Sequence, residues 1–519
     1  MLTNLKKFSG LLIVAMVAVL LFSGSLAAHE EGRYGGRMIV AFAQDVATFD
    51  LQTTTSPPNE LRHMIFEPLF AFNADMEPQP ILAEEWEYNE EDLYWDIKVR
   101  EDVEFHDGTP MTSADVVASF ERYQQVGARS FQVENVDSVE ALDDYTVRFH
   151  LDSPFGTLTE ALSETSGVFA VYPEWVIEKH GTDELTEDFI GTGPYVVDDI
   201  APEEYYILKR NENYSQPEGE PSFLAGRRNA YVDEFEIRII EDGAARVAAL
   251  QAGDVDLAHQ IPLDDYEILM DDPNVGVEVT SPGYRVYYKF NSTQGPFADR
   301  KLRKAVRVAI DPEDLMWAQG PEDLWRVNHT PRYQEEQWTW SDQSHYFPAD
   351  MELGRQLVEE SDYDGELIRF LVSPGRPMEY TTVMVMEEYL RDLGLNVEIN
   401  SVDSATFGEV RAQMDSWEIK HAGGGSLVGL TYLGSSANDR TGNKWPEVDA
   451  EWDYYMNIIE TEADDEVRKE AVEQIYRLIG EYNNEFWVGD VFELEGYRNH
   501  VRNVPEWFKL VLFNVWMEE

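Results

Sequence analysis

The chain has no cysteine among its 519 residues, so disulfides, thiolate nucleophiles and cysteine metal ligands are excluded at once. Basic residues are scarce: 40 Lys and Arg stand against 100 Asp and Glu, a formal charge of −60. No basic patch is available for phosphate backbones, which argues against nucleic acid as a partner. Beyond the N-terminus no segment is long and apolar enough to be a membrane span. The ten histidines are scattered, with no His-Glu-x-x-His and no pair at helical spacing, so no metal ligands are expected. His421 alone draws notice, because it lies beside a glycine-rich loop. Gly424-Gly425-Ser426-Leu427-Val428 fails the Gly-x-Ser-x-Gly elbow at its last position. Carboxylate pairs are so abundant that none can be singled out as an acid–base couple. No catalytic residue and no cofactor is therefore expected.

What is present is a globular composition. Apolar residues make up 43% and aromatic residues 12%, enough to bury real cores, and the length suggests two or three domains. Self-repulsion at this charge destabilises a compact state unless salt screens it, so the acidity reads as adaptation to a saline habitat. At the N-terminus, Lys6 and Lys7 precede an apolar run from Leu11 to Phe22, and Ser25-Leu26-Ala27 offers small residues for cleavage. Residues 1–27 are expected to be a secretory leader, leaving Ala28 as the first mature residue.

Local chemistry is clearest between residues 82 and 123. Trp95, Ile97 and Val99 alternate with polar residues, as in a half-buried strand. Asp107-Gly108-Thr109-Pro110 is a turn. Thr112, with Asp115 three residues on, caps a helix whose apolar face is Val116, Val117, Phe120 and Tyr123. Three more landmarks follow. Gly191-Thr192-Gly193-Pro194-Tyr195 reads as a turn entering a strand. Ala244 to Ala252 reads as a helix closed by Gly253. Tyr284 to Asn291 reads as a strand, followed by a turn and a helix that runs to Ile310-Asp311. Earlier, Met38 to Phe42 reads as a buried strand, with Gln44 to Asp50 as the loop after it. Later, Glu366–Val372 and Val397–Ile399 read as strands around a helix from Tyr380 to Leu393. Ala463 to Tyr482 reads as an amphipathic helix with Val467, Ala471, Ile475, Leu478 and Ile479 on one face.

Those landmarks, in that order, resemble the family 5 extracellular solute-binding proteins of ABC importers, the oligopeptide, dipeptide and nickel type. The resemblance implies an α/β fold of two lobes, a periplasmic-binding-protein fold with mixed sheets flanked by helices. The first lobe is expected over residues 37–283, with an extra subdomain at 76–190 and the C-terminal 497–519 returning to it; the second is expected over 284–496. A monomer is implied that captures a small solute or short peptide and delivers it to an ABC permease and ATPase complex. It would do no chemistry. With no cysteine to carry lipid, it would be free in the periplasm. An oligosaccharide- or metal-chelate-binding member and a ligand-presenting sensor subunit are alternatives, and a secreted hydrolase is the remote one.

In peptide-binding relatives, an aspartate after a strand of the second lobe pairs with the solute's ammonium. The matching stretch is Asp415 to Leu427, where Ser426 or a neighbouring glycine takes the aspartate's place. Gly423, Gly424 and Gly425 leave room for backbone N–H groups to approach a ligand, and serve a plain turn equally well. In the family the loop after the first strand borders the cleft. Here that loop offers Gln44 and Asp45, with Phe49-Asp50-Leu51 lacking the family's proline. Stacking surfaces are drawn from Tyr284, Tyr287, Trp325, Tyr333, Trp338, Trp340, Trp417 and Trp487. Ligand contacts are therefore expected at Gln44, Asp45, Tyr284, Tyr287, Trp338, Trp340, Trp417, Gly423, Gly424, Gly425 and Ser426.

The excess of acid sets the first prediction. The melting temperature should rise steeply between low salt and about 1 M NaCl, where the screening length falls to about 3 Å. A flat or falling curve in a salt titration followed by circular dichroism rejects the habitat reading.

Overall fold

The computed structural model describes residues 32–56, 58–334, 341–374, 377–424, 449–482, 484–506 and 510–518. The expected leader, and the candidate residues Trp338, Trp340, Gly425 and Ser426, lie outside the described residues.

Periodicity translates directly into structure around residue 100. Tyr94–Val99 is a strand with Trp95, Ile97 and Val99 buried, as the pleat requires. Gly108 closes the turn at φ +84°, a region open to glycine. The Thr112 N–H donates to Asp115 Oδ2 at 2.8 Å and starts the helix Ser113–Val126. Val116, Phe120 and Tyr123 are fully buried, whereas Val117 is only half-buried. This helix covers a four-stranded antiparallel sheet ordered Ala83–Asn89, Tyr94–Val99, Thr146–Leu151, Val136–Ala141. Phe120, Phe149 and Phe169 meet edge-to-face in its core.

The Gly-Thr-Gly-Pro landmark has a different cause from the one expected. It does lead into the strand Tyr195–Ala201. Its glycines serve close backbone approach: a Cβ at Gly191 would lie 2.0 Å from the Ile65 carbonyl oxygen, and one at Gly193 would lie 2.5 Å from that of Met64. The Gly193 N–H donates to Ile65 O at 2.9 Å, a bond that a side chain would push apart.

An eleven-stranded sheet organises the rest. Along it run Asn396–Ser401, Leu367–Val372, Ile419–Gly424, Val275–Phe290, Glu485–Arg498, Leu257–Ala258, Arg37–Phe42, Glu234–Ile239, Tyr205–Arg210 and Tyr195–Ala201, with Trp325–Val327 also paired to Glu485–Arg498. The two long strands Val275–Phe290 and Glu485–Arg498 pair antiparallel over nearly their whole length. One end of that ribbon packs on a core around Val247, Leu250, Ile261 and Leu494. The other packs on a core around Val286, Tyr288, Phe370 and Val488.

Helices cover the sheet where their apolar faces permit. Gly243–Ala252 starts at Asp242, whose carboxylate accepts from the Ala245 N–H at 2.8 Å, and ends at Gly253 in the left-handed region. Pro377–Asp392 begins a turn earlier than expected, because proline is tolerated at the first helical position. Asp465–Tyr482 buries Ala471, Ile475, Leu478 and Ile479 against Asp449–Thr461. Val467 departs from the expected face and is 42% exposed. It lies in the first turn, where Arg468 is buried instead, against Glu160.

Charges are carried into the interior in pairs. Asp50, in the loop after the first strand, accepts from Arg122 Nη2 at 2.5 Å and Nη1 at 3.2 Å, from Tyr172 Oη at 3.1 Å and from the Leu185 N–H at 3.3 Å. Both ions are buried. Asp50 thus clamps this loop to the neighbouring helix. Removing one partner of such a pair strands the other. Arg122→Met should lower stability by about 3–5 kcal/mol in urea unfolding, and a loss under 1 kcal/mol contradicts the clamp.

Asp490, on the second long strand, accepts from Arg326 Nε at 2.8 Å and is buried. Burial pushes its carboxyl up to about 6, against the pull of Arg326 and Asn328. A group raised in the folded state favours the protonated fold, so its contribution is full at low pH and is lost as pH rises through about 6. Between about pH 4 and pH 6 the parent should therefore lose stability relative to Asp490→Asn. Denaturation curves at stepped pH measure the difference, and parallel pH slopes would count against it.

Candidate functional site

The register of the sheet locates the site. Arg37–Phe42 runs parallel to Glu234–Ile239 and to Leu257–Ala258. Leu367–Val372 runs parallel to Asn396–Ser401 and to Ile419–Gly424. Ligands of open parallel sheets bind beyond the carboxyl ends of the strands. On the long ribbon, Ala258 stands opposite Gly496, which pairs with Val277, while Gly424 stands opposite Arg285. The two parallel sets run in opposite directions along this ribbon. Their carboxyl ends therefore approach the same stretch, residues 280–284 and 491–493, from opposite sides. The ladder is irregular there, with a register shift between Thr280 and Tyr284. A shifted, bulged segment is where a ribbon bends.

Beside the carboxyl ends of the first set lie Asp45 and two carboxylates of the ribbon, Glu493 and Glu495. Gln44 is exposed and Asp45 half-buried; Asp45 accepts from the Tyr206 hydroxyl. His259, one residue past its strand, binds Glu495 Oε1 through Nδ1 at 2.8 Å, with both side chains buried. Burial depresses the His259 imidazolium most, but the charge and hydrogen bond of Glu495, with the charges of Glu60 and Glu493, together outweigh it, so its pKa rises. Burial raises the Glu495 carboxyl as well, against the pull of His259. Gln260 Nε2 reaches Glu493 Oε1 at 3.4 Å. Gly283 makes room for that carboxylate, since a Cβ there would lie 2.2 Å from Glu493 Cδ.

Beside the carboxyl ends of the second set lie two arginines of other strands, Arg285 on the ribbon and Arg326 on Trp325–Val327. Arg285 pairs in register with both Gly424 and Asp490, its Nη1 donates to the Pro331 carbonyl, and its head lies 4.7 Å over the Tyr333 ring. Arg326 holds the other side of Asp490. Asn328 Nδ2 bridges Asp490 Oδ2 at 3.1 Å and the Arg332 carbonyl at 2.7 Å. These charges are paired within the protein, His259 with Glu495 and Arg326 with Asp490.

The expected residues are distributed unevenly over this geometry. Gln44 and Asp45 follow the first strand, and Gly423 and Gly424 end the strand Ile419–Gly424. Gly423 is needed because the Tyr284 ring lies across it; a Cβ would fall 2.1 Å from the Tyr284 oxygen. Tyr287 stacks on Trp487 with ring centroids 4.0 Å apart. Trp417 is a correction. It is fully buried in a small core with Leu371 and Phe407, its Nε1 donating to Arg411 O at 3.2 Å. The packing of the preceding helix, invisible in a local motif, takes it away from the strand ends. His421 is likewise buried, edge-on to Tyr288 at 5.2 Å. His259, Glu493, Glu495, Arg285 and Asp490 had no local signal, since they meet only through pairing of distant strands.

Two other places merit comparison. A pocket lined by Arg307, His329, Tyr346, Phe347, Glu485 and Trp487 lies behind the ribbon. Arg307 stacks 4.8 Å over Tyr346, and His329 lies 4.0 Å from the Phe347 ring, so aromatic packing fills it. Among the described residues, His180, Glu187 and Asp188 have metal-compatible spacing. Lys179 already binds both acids there, reaching Glu187 Oε1 at 2.9 Å.

Comparison with known proteins bears on the family and the fold. The chain is 27% identical over 383 residues to a probable peptide ABC transporter periplasmic-binding protein of Sinorhizobium fredii, covering 72% of each chain. It is 24% identical over 441 residues to the glutathione-binding protein GsiB of Escherichia coli K12, covering 83% of this chain and 79% of that one. The structure of Helicobacter pylori DppA in complex with the peptide STSA superposes with a TM-score of 0.77 at 19% identity, covering 94% of this chain and 99% of that one. The fold is that of the two-lobed periplasmic binding proteins. The model of the bacterial extracellular solute-binding proteins, family 5, matches residues 77–438, well over half of the chain, and the protein belongs to that family.

Proposed function

We propose that this protein is the solute-receiving subunit of an ABC importer, and that it takes a peptide or peptide-like solute between its lobes. The observation that carries the reading is the meeting of two sets of strand ends over one shared ribbon, inside a chain matched by a solute-binding family. The relative from S. fredii is a probable peptide-binding component, and the H. pylori structure holds a peptide. The lobes would be residues 37–283 with 497–519, and 284–496. Separate apolar cores on either side of the ribbon support that division. The leader at 1–27 would export the chain, and an ABC permease would receive the solute.

The missing aspartate shapes the specificity. In this reading Ser426 or a neighbouring glycine takes the place of the ammonium-binding carboxylate, and an unpaired buried ammonium costs several kcal/mol. Unblocked di- and tripeptides should bind more weakly than N-acetylated or anionic ones. Native mass spectrometry of the purified protein identifies retained solute, and calorimetry with a peptide panel ranks the classes. Micromolar binding of an unblocked dipeptide, abolished by N-acetylation, would show that another carboxylate does this work. If no peptide-sized mass is retained and no member of the panel binds, the peptide reading fails.

A further inference from the structure

A second contact joins the two halves of the molecule, separate from the shared ribbon. Phe155, Leu158 and Ala161 belong to the core of the four-stranded sheet. Trp452, Ile459, Ala471 and Val472 belong to the core of the two C-terminal helices, which packs on Trp487 of the ribbon. Between these separate cores the contact is polar. The Gly156 N–H donates to Thr461 O at 2.9 Å. Thr157 Oγ1 donates to Glu460 O at 2.9 Å. The Arg468 guanidinium binds the Glu160 carboxylate, with both side chains nearly buried.

The chemistry of these bonds is specific. Glu460 and Thr461 end the helix Asp449–Thr461, so their carbonyls have no partner within that helix. The strand-sheet side supplies the missing donors. Gly156 is required for the approach, since a Cβ would lie 2.6 Å from Ala463 N and 2.8 Å from Ala463 Cα. On the near side the segment is pinned, because Trp95 Nε1 donates to the Phe155 carbonyl at 2.9 Å. A contact made of two hydrogen bonds and one ion pair can part without tearing either core, and water can take up every group it frees. Hinge closure of two lobes can make and break a contact of that kind.

We infer that Gly156, Thr157 and Glu160, seated on Glu460, Thr461 and Arg468, form a latch that stabilises the closed arrangement of the lobes. This rests on the two-lobed reading and not on the class of solute. Loss of one hydrogen bond should shift the closed-to-open ratio by about 3- to 10-fold.

The absence of cysteine makes the test clean. Cysteines introduced at the exposed positions Glu91 and Glu473 would be the only sites for spin labels. Pulsed EPR then reads the distance distribution of protein refolded from guanidinium, with no solute added. Thr157→Val, Gly156→Ala and Glu160→Gln should each enlarge the long-distance population relative to the parent. Gly156→Ala and Thr157→Val leave the ion pair in place and guard against a folding failure in Glu160→Gln. If the distributions of these two superimpose on the parent's, the latch is rejected. Failure of the peptide panel leaves this result untouched, because the readout uses no solute.

Discussion

The antiparallel pairing of Val275–Phe290 with Glu485–Arg498 is the constraint on which the rest of the structure depends. Each strand is long enough to serve two cores. One end of the ribbon supports the sheet that begins at Arg37–Phe42, and the other supports the parallel strands of residues 367–424. Because the two parallel sets run in opposite directions along it, their carboxyl ends converge on one place. The location of the proposed binding site thus follows from strand direction. The register shift between Thr280 and Tyr284 falls at that place, where the ladder has fewest bonds to resist bending.

Burial of charge is the second organising theme. A chain with 100 acidic residues exposes most of them, yet its interior holds selected pairs: Asp50 with Arg122, Glu67 with Arg228, Glu495 with His259 and Asp490 with Arg326. Each ties two distant segments, and each is costly to break because its partner would be left desolvated. Asp50 anchors the loop that presents Gln44 and Asp45. Glu495 and Asp490 lie on the same long strand, on either side of the irregular stretch. Surface acidity and interior ion pairs therefore differ: exposed acids face solvent, and the buried pairs hold loop position and register.

Much of the fold was legible in local pattern. The alternation of Trp95, Ile97 and Val99, the Thr112–Asp115 cap and the left-handed Gly253 each follow from interactions within a few residues, so the sequence carries them in place. The glycines at 191 and 193 were legible as a landmark but not as a cause. Their function is close approach to Met64 and Ile65, more than a hundred residues away. Val467 shows the limit of periodicity, which finds a helix face without knowing where the partner helix stops. Trp417 shows the limit of composition: an aromatic beside a glycine loop is as useful to a core as to a cleft, and packing against Leu371 and Phe407 decides it.

Sequence by itself determined the class of the molecule, because ordered landmarks, the absence of cysteine and the acid excess are all properties of the linear chain. It also determined most helices and strands, since caps, turns and pleat alternation act over a few residues. Only the tertiary structure decided which charged groups meet. His259 and Glu495, Arg285 and Asp490, and Glu160 and Arg468 are each separated by hundreds of residues, and strand register or helix docking sets their distances. A carboxylate in a chain with 100 of them acquires an individual role when the fold removes its water and leaves it one partner.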